Sequence, residues 1–297
     1  MNSITLKQLR YVDALARHGH FGRAAEACSI SQPALSVQVR DLESALGLPL
    51  FERGARHVRL TGFGQEFLAR ARVILEMIDD LGDLARASQD LFVGRLRIGV
   101  IPTIAPYLLP RVIARLSAAH PELDIQIRET VTPRLIDELG SGQLDTAILA
   151  LPSGESGLEE TPLFTEPMVL VRAGAEAGDP VPGADRLRDM RLLLLEEGHC
   201  FRDQALAFCK IPAGPRRDGL DGSSLSTLVQ MVGSGIGVTL IPEMAVPVET
   251  RSAEVSISRF PDPQPSRTVG MVWRKSSSLA EPLRGIADLV RDAARAA

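Results

Sequence analysis

Phe21-Gly22-Arg23-Ala24-Ala25-Glu26-Ala27-Cys28-Ser29-Ile30-Ser31-Gln32-Pro33-Ala34-Leu35-Ser36 reads as one short helix, a tight turn and the opening of a second helix. Ala24, Ala25 and Cys28 form a small inward face at helical spacing, and Ser29-Ile30-Ser31 breaks that pattern. Ser31 can cap the next helix, Pro33 suits its first turn, and Leu35, Val37, Val39, Leu42 and Leu46 carry it forward. Upstream, Leu6, Leu9, Val12, Leu15 and Ala16 define an earlier helix; downstream, the stretch from Leu50 to Thr61 reads as a β-hairpin wing carrying Arg53, Arg56 and Arg59. Two short helices joined by a turn and followed by a basic wing make a winged helix-turn-helix, whose second helix can enter a DNA major groove. Gln32, Ser36 and Gln38 can read base edges or bind phosphate. Pro33 is grouped with them, Ala34 offers a methyl that could touch a thymine methyl or let the helix approach closely, and Arg40 is placed for phosphate or base contact. On an isolated helix these would be ordinary solvated residues. The wing beside them favours double-stranded DNA.

A chain of 297 residues with 45% hydrophobic content can bury a sizeable core and hold two or three domains. The net charge of -4 says nothing of nucleic acid, but its distribution does. Residues 1–60 hold eight Lys and Arg against five Asp and Glu, a net of +3, whereas residues 61–90 hold three against six. Lys7, Gln8, Arg10 and Asp13 interrupt any apolar run near the N-terminus, so a secretory signal is not expected. No stretch approaches the ~20 apolar residues of a membrane span. A cytoplasmic location without membrane attachment is expected. Three cysteines with no CxxC pair and no histidine at ligand spacing argue against zinc, and no metal or cofactor is expected.

After the wing, Thr61 can cap a helix running to about Ala87, roughly 40 Å at ~1.5 Å per residue. Phe67, Ala71, Ile74, Ile78, Leu81 and Ala85 form a seam at heptad spacing that calls for a partner helix or for the chain's own body. Leu96 to Val100, Leu123 to Ile127 and Leu144 to Leu151 then read as strands alternating with helices. A second run follows at Met168 to Val171, Leu192 to Leu195 and Val238 to Ile241. Thr268 to Trp273 and a helix from Leu283 to Ala294 cross back to complete the first lobe. The expected fold class is therefore α/β: a winged helix-turn-helix over 1–61, a linker and dimerisation helix over 62–91, and a two-lobed doubly wound regulatory domain over 92–297. Lobe I is expected over about 92–164 and 268–297, and lobe II over about 165–267.

Within that body, Gly198-His199-Cys200-Phe201-Arg202-Asp203-Gln204-Ala205-Leu206-Ala207-Phe208-Cys209 places two cysteines nine positions apart in a loop running into a short helix. Nine helical steps separate their Cα atoms by roughly 13 Å, and a disulfide tolerates about 7 Å. Such a pair is either inert or the trigger of a refolding switch.

Phe-x-x-Ala-Ala over 21–25, Ser-Gln-Pro-Ala-Leu-Ser over 31–36, Leu42-Glu43, Leu50-Phe51-Glu52-Arg53 and Leu60-Thr61-Gly62-Phe63-Gly64 together resemble the DNA-binding domain of LysR-type regulators. The two lobes resemble the periplasmic-binding-protein-like domain that usually accompanies that head. Gly198-His199-Cys200, the second cysteine, Ile101-Pro102-Thr103, Pro106 to Pro110 and Arg267-Thr268-Val269-Gly270 resemble the peroxide-sensing OxyR family. That resemblance implies a transcription activator rather than an enzyme, with Cys200 reacting with peroxide and Thr103 and Arg267 binding and polarising it. Sulfenic acid at Cys200 would be condensed by Cys209 as resolving thiol. Cys200 sits just before the helix Arg202 to Cys209, whose N-terminal amides favour a thiolate; Asp203 opposes it, and Arg267 or His199 is the candidate balancing cation. Closing a loop of about ten residues contributes roughly 2.7 kcal/mol, comparable to losing a short helix, so the two forms can lie close in energy. The implied partners are promoter DNA, RNA polymerase, further copies of the chain in a homodimer and homotetramer, and cellular thiol reductants. Ser226 and Val229 stand where Glu and Arg are expected of the family, which bears on how the helix after the switch packs. The rival readings are a LysR-type regulator answering a small organic effector between the lobes, a thiol peroxidase, and a periplasmic binding protein.

Overall fold

The computed structural model describes residues 4–53, 58–87, 94–211 and 221–295. Two compact units divide the chain, Met1–Asp83 and Leu84–Ala297. The first begins with α1 (Leu6–His18), α2 (Phe21–Ala27) and α3 (Gln32–Leu46), then a hairpin of β1 (Phe51–Arg53) and β2 (Val58–Leu60), then the long helix α4 (Gly62–Ala87).

Local chemistry sets each boundary. Thr5 and Gln8 close a capping box on α1, and Gly19 ends it in the left-handed region at φ 59°. Ser31 accepts from the Ala34 amide to start α3. Glu43 reaches out of α3 and accepts from the Leu50 and Phe51 amides at 2.9 and 3.1 Å, which holds the wing to the helix. Thr61 Oγ1 accepts from the Gly64 amide at 2.9 Å, and a Cβ on Gly64 would stand 2.1 Å from the Leu50 carbonyl oxygen. Leu42-Glu43 and the Leu-Thr-x-x-Gly pattern thus have packing reasons. Val12, Leu15, Ala24, Ala25, Leu35, Val39, Leu42, Leu50 and Phe51 fill the core of this unit. Cys28 packs against that core as expected, and burial raises its thiol pKa above the ordinary value.

Two apolar readings change in the structure. Ala71 is 2% exposed and Phe67 packs against the head core, so the first turns of α4 face their own unit instead of continuing the seam. The exposed apolar row is Ile74, Met77 and Leu81, and the Ala85 side chain lies outside the described residues. Val37, expected along the inner pattern of α3, is exposed beside Ala34. Buried Asp13 pairs with Arg72 at 2.9 Å and with Arg17, tying α1 to α4.

The second unit runs β3 (Gly94–Val100), α5 (Ala105–Ala119), β4 (Leu123–Glu129), α6 (Thr132–Gly140), β5 (Thr146–Leu151), β6 (Leu158–Ala173), α7 (Ala184–Asp189) and β7 (Leu192–Leu195). It continues with α8 (Cys200–Phe208), β8 (Asp221–Gly222), α9 (Leu225–Gly233), β9 (Val238–Pro242), α10 (Val246–Glu249), β10 (Val255–Arg259), β11 (Ser266–Arg274) and α11 (Ala280–Arg295). The strands join in the order β4-β3-β5-β11-β6-β9-β7-β8, with β10 beside β6. β3 pairs in parallel with β4 and β5, and β7 with β8 and β9, whereas β11 and β6 are antiparallel to their neighbours. The sheet is therefore mixed, its parallel strands within each lobe differing from the antiparallel strands that join the lobes.

The sixteen-residue β6 explains the difference. Its first half pairs with β11, and its second half with β9 and β10, so one strand carries the chain from one lobe to the other. The expected start at Met168 came ten residues late because Glu159, Glu160, Thr161 and Pro162 look like loop. Pro162 sits where the register with β11 shifts between Val269 and Gly270, a place where a missing amide is tolerated. Separate apolar cores fill the lobes, one around Ile98, Leu108, Ile148 and Trp273, the other around Val169, Leu193, Leu206 and Val229. Among the described residues, no helix is long and apolar enough to cross a membrane.

Candidate functional site

In the first unit, Gln32, Pro33, Ala34 and Arg40 are exposed along α3, with Ser36 and Gln38 half-buried. The N-terminal turns therefore offer the expected donors and acceptors, and exposed Val37 adds an apolar contact that the periodicity had assigned inward. Arg40 Nε donates to the Ser36 carbonyl of its own helix at 3.2 Å. Arg59 is exposed on β2; the side chain of Arg53, and Arg56 altogether, lie outside the described residues.

In the second unit, Cys200 is the first residue of α8 and half-buried, and Cys209 is the fully buried C-cap of the same helix. Gly198, at φ +94°, turns the chain from β7 into that helix, a conformation disfavoured for other residues. Arg202 anchors the helix from below. It is 4% exposed and donates to the Leu195 carbonyl at 2.7 Å and to Asp221 at 2.8 Å. Sequence reading had passed over this pair, since a helical arginine is ordinarily a surface residue.

A narrow pocket brings Pro102, Thr103, Thr132, His199, Cys200 and Phe201 together. Thr103 is 2% exposed and faces this inner pocket, which lobe I residues 101–103 and 131–132 form together with lobe II residues 199–201. Arg267 holds it there: its NH1 donates to Thr103 Oγ1 at 2.8 Å and its NH2 to the Thr103 carbonyl at 2.9 Å. The guanidinium also lies 5.3 Å from the Phe201 ring centroid, a cation–π contact with the residue after Cys200. Its charge is met by Glu166, which accepts from Nε at 2.7 Å. Glu166 was invisible in the sequence, because only the register of β6 against β11 sets it opposite Arg267.

His199 caps α8 without a side-chain bond to it, and burial lowers its imidazole pKa below the ordinary value, with Glu196 partly offsetting this. That direction disfavours a charged imidazole at neutral pH. Thr132 was missed altogether; its buried hydroxyl has no hydrogen-bond partner among the described residues, and Thr132 lines the pocket wall with Cys200. Beyond this pocket, Thr132 and Cys200 also border a cleft of about 710 Å3 between the lobes, where Asp203, Gln204, Asp137, Arg267 and Thr268 appear. Asp203 is thus exposed to the cleft and separate from the inner pocket. Ser226 and Val229, the two departures, divide cleanly. Val229 is fully buried in the lobe core, and exposed Ser226 donates to Glu249, which also accepts from Tyr107 at 2.6 Å. Among the described residues, no cluster of three or more His, Cys, Asp or Glu side chains could hold a metal ion.

Known proteins share this architecture and these elements. The lysR family of bacterial regulatory helix-turn-helix proteins matches residues 6–65, and the LysR substrate binding domain matches residues 89–295. A probable hydrogen peroxide-inducible genes activator of Streptomyces viridosporus is 44% identical over 297 residues, covering 98% of this chain and 95% of the relative. Full-length OxyR from Pseudomonas aeruginosa, solved as a cysteine-to-aspartate variant, superposes with a TM-score of 0.72 at 38% identity, covering 97% of this chain and 95% of that one. A hydrogen-peroxide-bound cysteine variant of OxyR from Corynebacterium glutamicum gives 0.65 at 35% identity, with 98% and 92% covered. The chain belongs to the LysR family of transcriptional regulators and, within it, to the OxyR group of hydrogen peroxide-inducible genes activators.

Proposed function

We propose that the protein is a cytoplasmic, DNA-binding transcriptional regulator that senses hydrogen peroxide through reversible disulfide formation between Cys200 and Cys209. The carrying observation is that one short helix begins at Cys200, beside a hydroxyl-lined pocket, and ends at buried Cys209. The Cys200 sulfur attacks one peroxide oxygen, the O–O bond breaks, and thiol plus peroxide become sulfenic acid plus water. Thr103, Thr132 and Arg267 are the groups placed to orient the peroxide. Condensation of the sulfenic acid with the Cys209 thiol then forms the S–S bond and releases a second water. Because ~13 Å of helical rise exceeds a disulfide's reach of ~7 Å, closure melts α8. Phe201, Leu206 and Cys209 leave the lobe core with it.

Gln32, Pro33, Ala34, Ser36, Gln38 and Arg40 are the side chains for promoter DNA, together with Arg53 and Arg56. The exposed row Ile74, Met77 and Leu81 supports self-association through the linker helix. Self-association as a dimer or tetramer, RNA polymerase contact and reset by cellular thiols complete this reading, in which the protein turns over no substrate. Counting free thiols before and after about one equivalent of peroxide tests it. The expected fall is from three to one, with DNA footprints shifting in parallel. An unchanged count sinks the reading.

The 710 Å3 cleft supports a second reading, an organic effector held between the lobes, since ligand pockets run from roughly 300 to 1,000 Å3. Under that reading Cys200→Ser leaves induction intact; under the peroxide reading it abolishes induction.

A further inference from the structure

Glu166 is 6% exposed and stands opposite Arg267 in the register between β6 and β11. Its Oε1 accepts from Arg267 Nε at 2.7 Å and lies 2.6 Å from NH2, while its Oε2 accepts from the Met244 amide at 3.2 Å. One carboxylate thus fixes the plane of the guanidinium and ties it to the segment after β9. The plane matters because of what lies on its far side. A guanidinium has donors only, so Thr103 Oγ1 must accept from it, and the threonine's own O–H is left for the pocket it lines with Cys200.

We infer that Glu166 is a positioning residue for the peroxide reaction: by locking Arg267 it makes Thr103 a one-way hydrogen-bond donor into the Cys200 pocket. The inference rests on the reading of Cys200 as the peroxide-reactive thiol. In that step the sulfur loses two electrons, the peroxide is reduced, and negative charge gathers on the leaving oxygen as it becomes water. A donor aimed at that oxygen lowers the barrier. Alkylation of the same sulfur by iodoacetamide expels iodide and makes little use of such a donor. Peroxide and iodoacetamide therefore separate a loss of donor geometry from a loss of thiol reactivity.

The test compares the two reactions at Cys200 in the full chain carrying Cys209→Ser, with Glu166 intact or as Glu166→Gln. The substitution is expected to slow peroxide oxidation about tenfold and alkylation by less than about twofold. In the double-mutant cycle with Arg267→Gln, where the double variant leaves the pair neutral, Glu166→Gln is expected to change the peroxide rate by less than about twofold. Equal slowing of both reagents, no slowing of either, or the same tenfold loss in the Arg267→Gln background would each overturn the proposal. If Cys200 with Glu166 intact does not react with peroxide, the underlying reading fails first, which the Glu166-intact arm registers separately.

Discussion

Cys200 opens and Cys209 caps one nine-residue helix, and the Cys209 amide closes its last turn on the Ala205 carbonyl at 3.1 Å. Cys209, the proposed resolving thiol, is fully buried, so under that reading a sulfenic acid at Cys200 must wait for this helix to open. Ala207 is exposed in the same helix, where glycine costs about 1 kcal/mol in helix propensity and touches no core contact. Ala207→Gly is therefore expected to speed disulfide closure about fivefold, the factor corresponding to ~1 kcal/mol, without altering the initial peroxide step. Stopped-flow measurement of sulfenate formation and loss separates the two. A slower second step would contradict opening as the limit.

Burial of His199 makes stability depend on pH in a defined direction. Its folded pKa is lowered from 6.5, so below about 6.5 the unfolded chain binds a proton that the folded chain resists. The stability it contributes is complete above that value and is lost as pH falls toward the folded pKa. His199→Asn is expected to flatten the fall in urea midpoint between about pH 7 and pH 5. An unchanged slope in the variant would assign the acid sensitivity elsewhere.

Helix α9 depends on the two residues that depart from the family pattern. Val229→Arg would bury a cation in the lobe core, a change expected to cost more than about 3 kcal/mol. Ser226→Glu would set a carboxylate against Glu249 and remove the bond Ser226 donates there, at a cost of about 1 kcal/mol. Denaturant melts of each variant check both figures. Near-neutral Val229→Arg would mean that the helix turns over to accept it.

For the head, Gln32→Ala and Arg59→Ala are expected to differ in kind. Gln32, at the exposed start of α3, should cost about 1–3 kcal/mol and relax sequence preference at one base step. Arg59, on the wing, should weaken all sequences alike and reduce the salt slope by about one. Titrations against specific and scrambled duplexes at two salt concentrations distinguish them.

The amino-acid sequence alone determined the features that rest on neighbours along the chain. Caps at Ser31 and Thr61 and the 3.6-residue and strand-helix rhythms are short-range steric and hydrogen-bonding facts. They led to the helix-turn-helix, the long linker helix and the alternating body, and nine helical steps already set Cys200 and Cys209 too far apart to bond. What the tertiary structure decided lies across long separations. Glu166 meets Arg267 over 101 positions and Arg267 meets Thr103 over 164. Ala71 and Phe67 turn into the head while Met77 turns out, and Val229 turns inward while Ser226 finds Glu249. Strand register and helix rotation arise from the simultaneous packing of many segments, and no local window of residues carries that information.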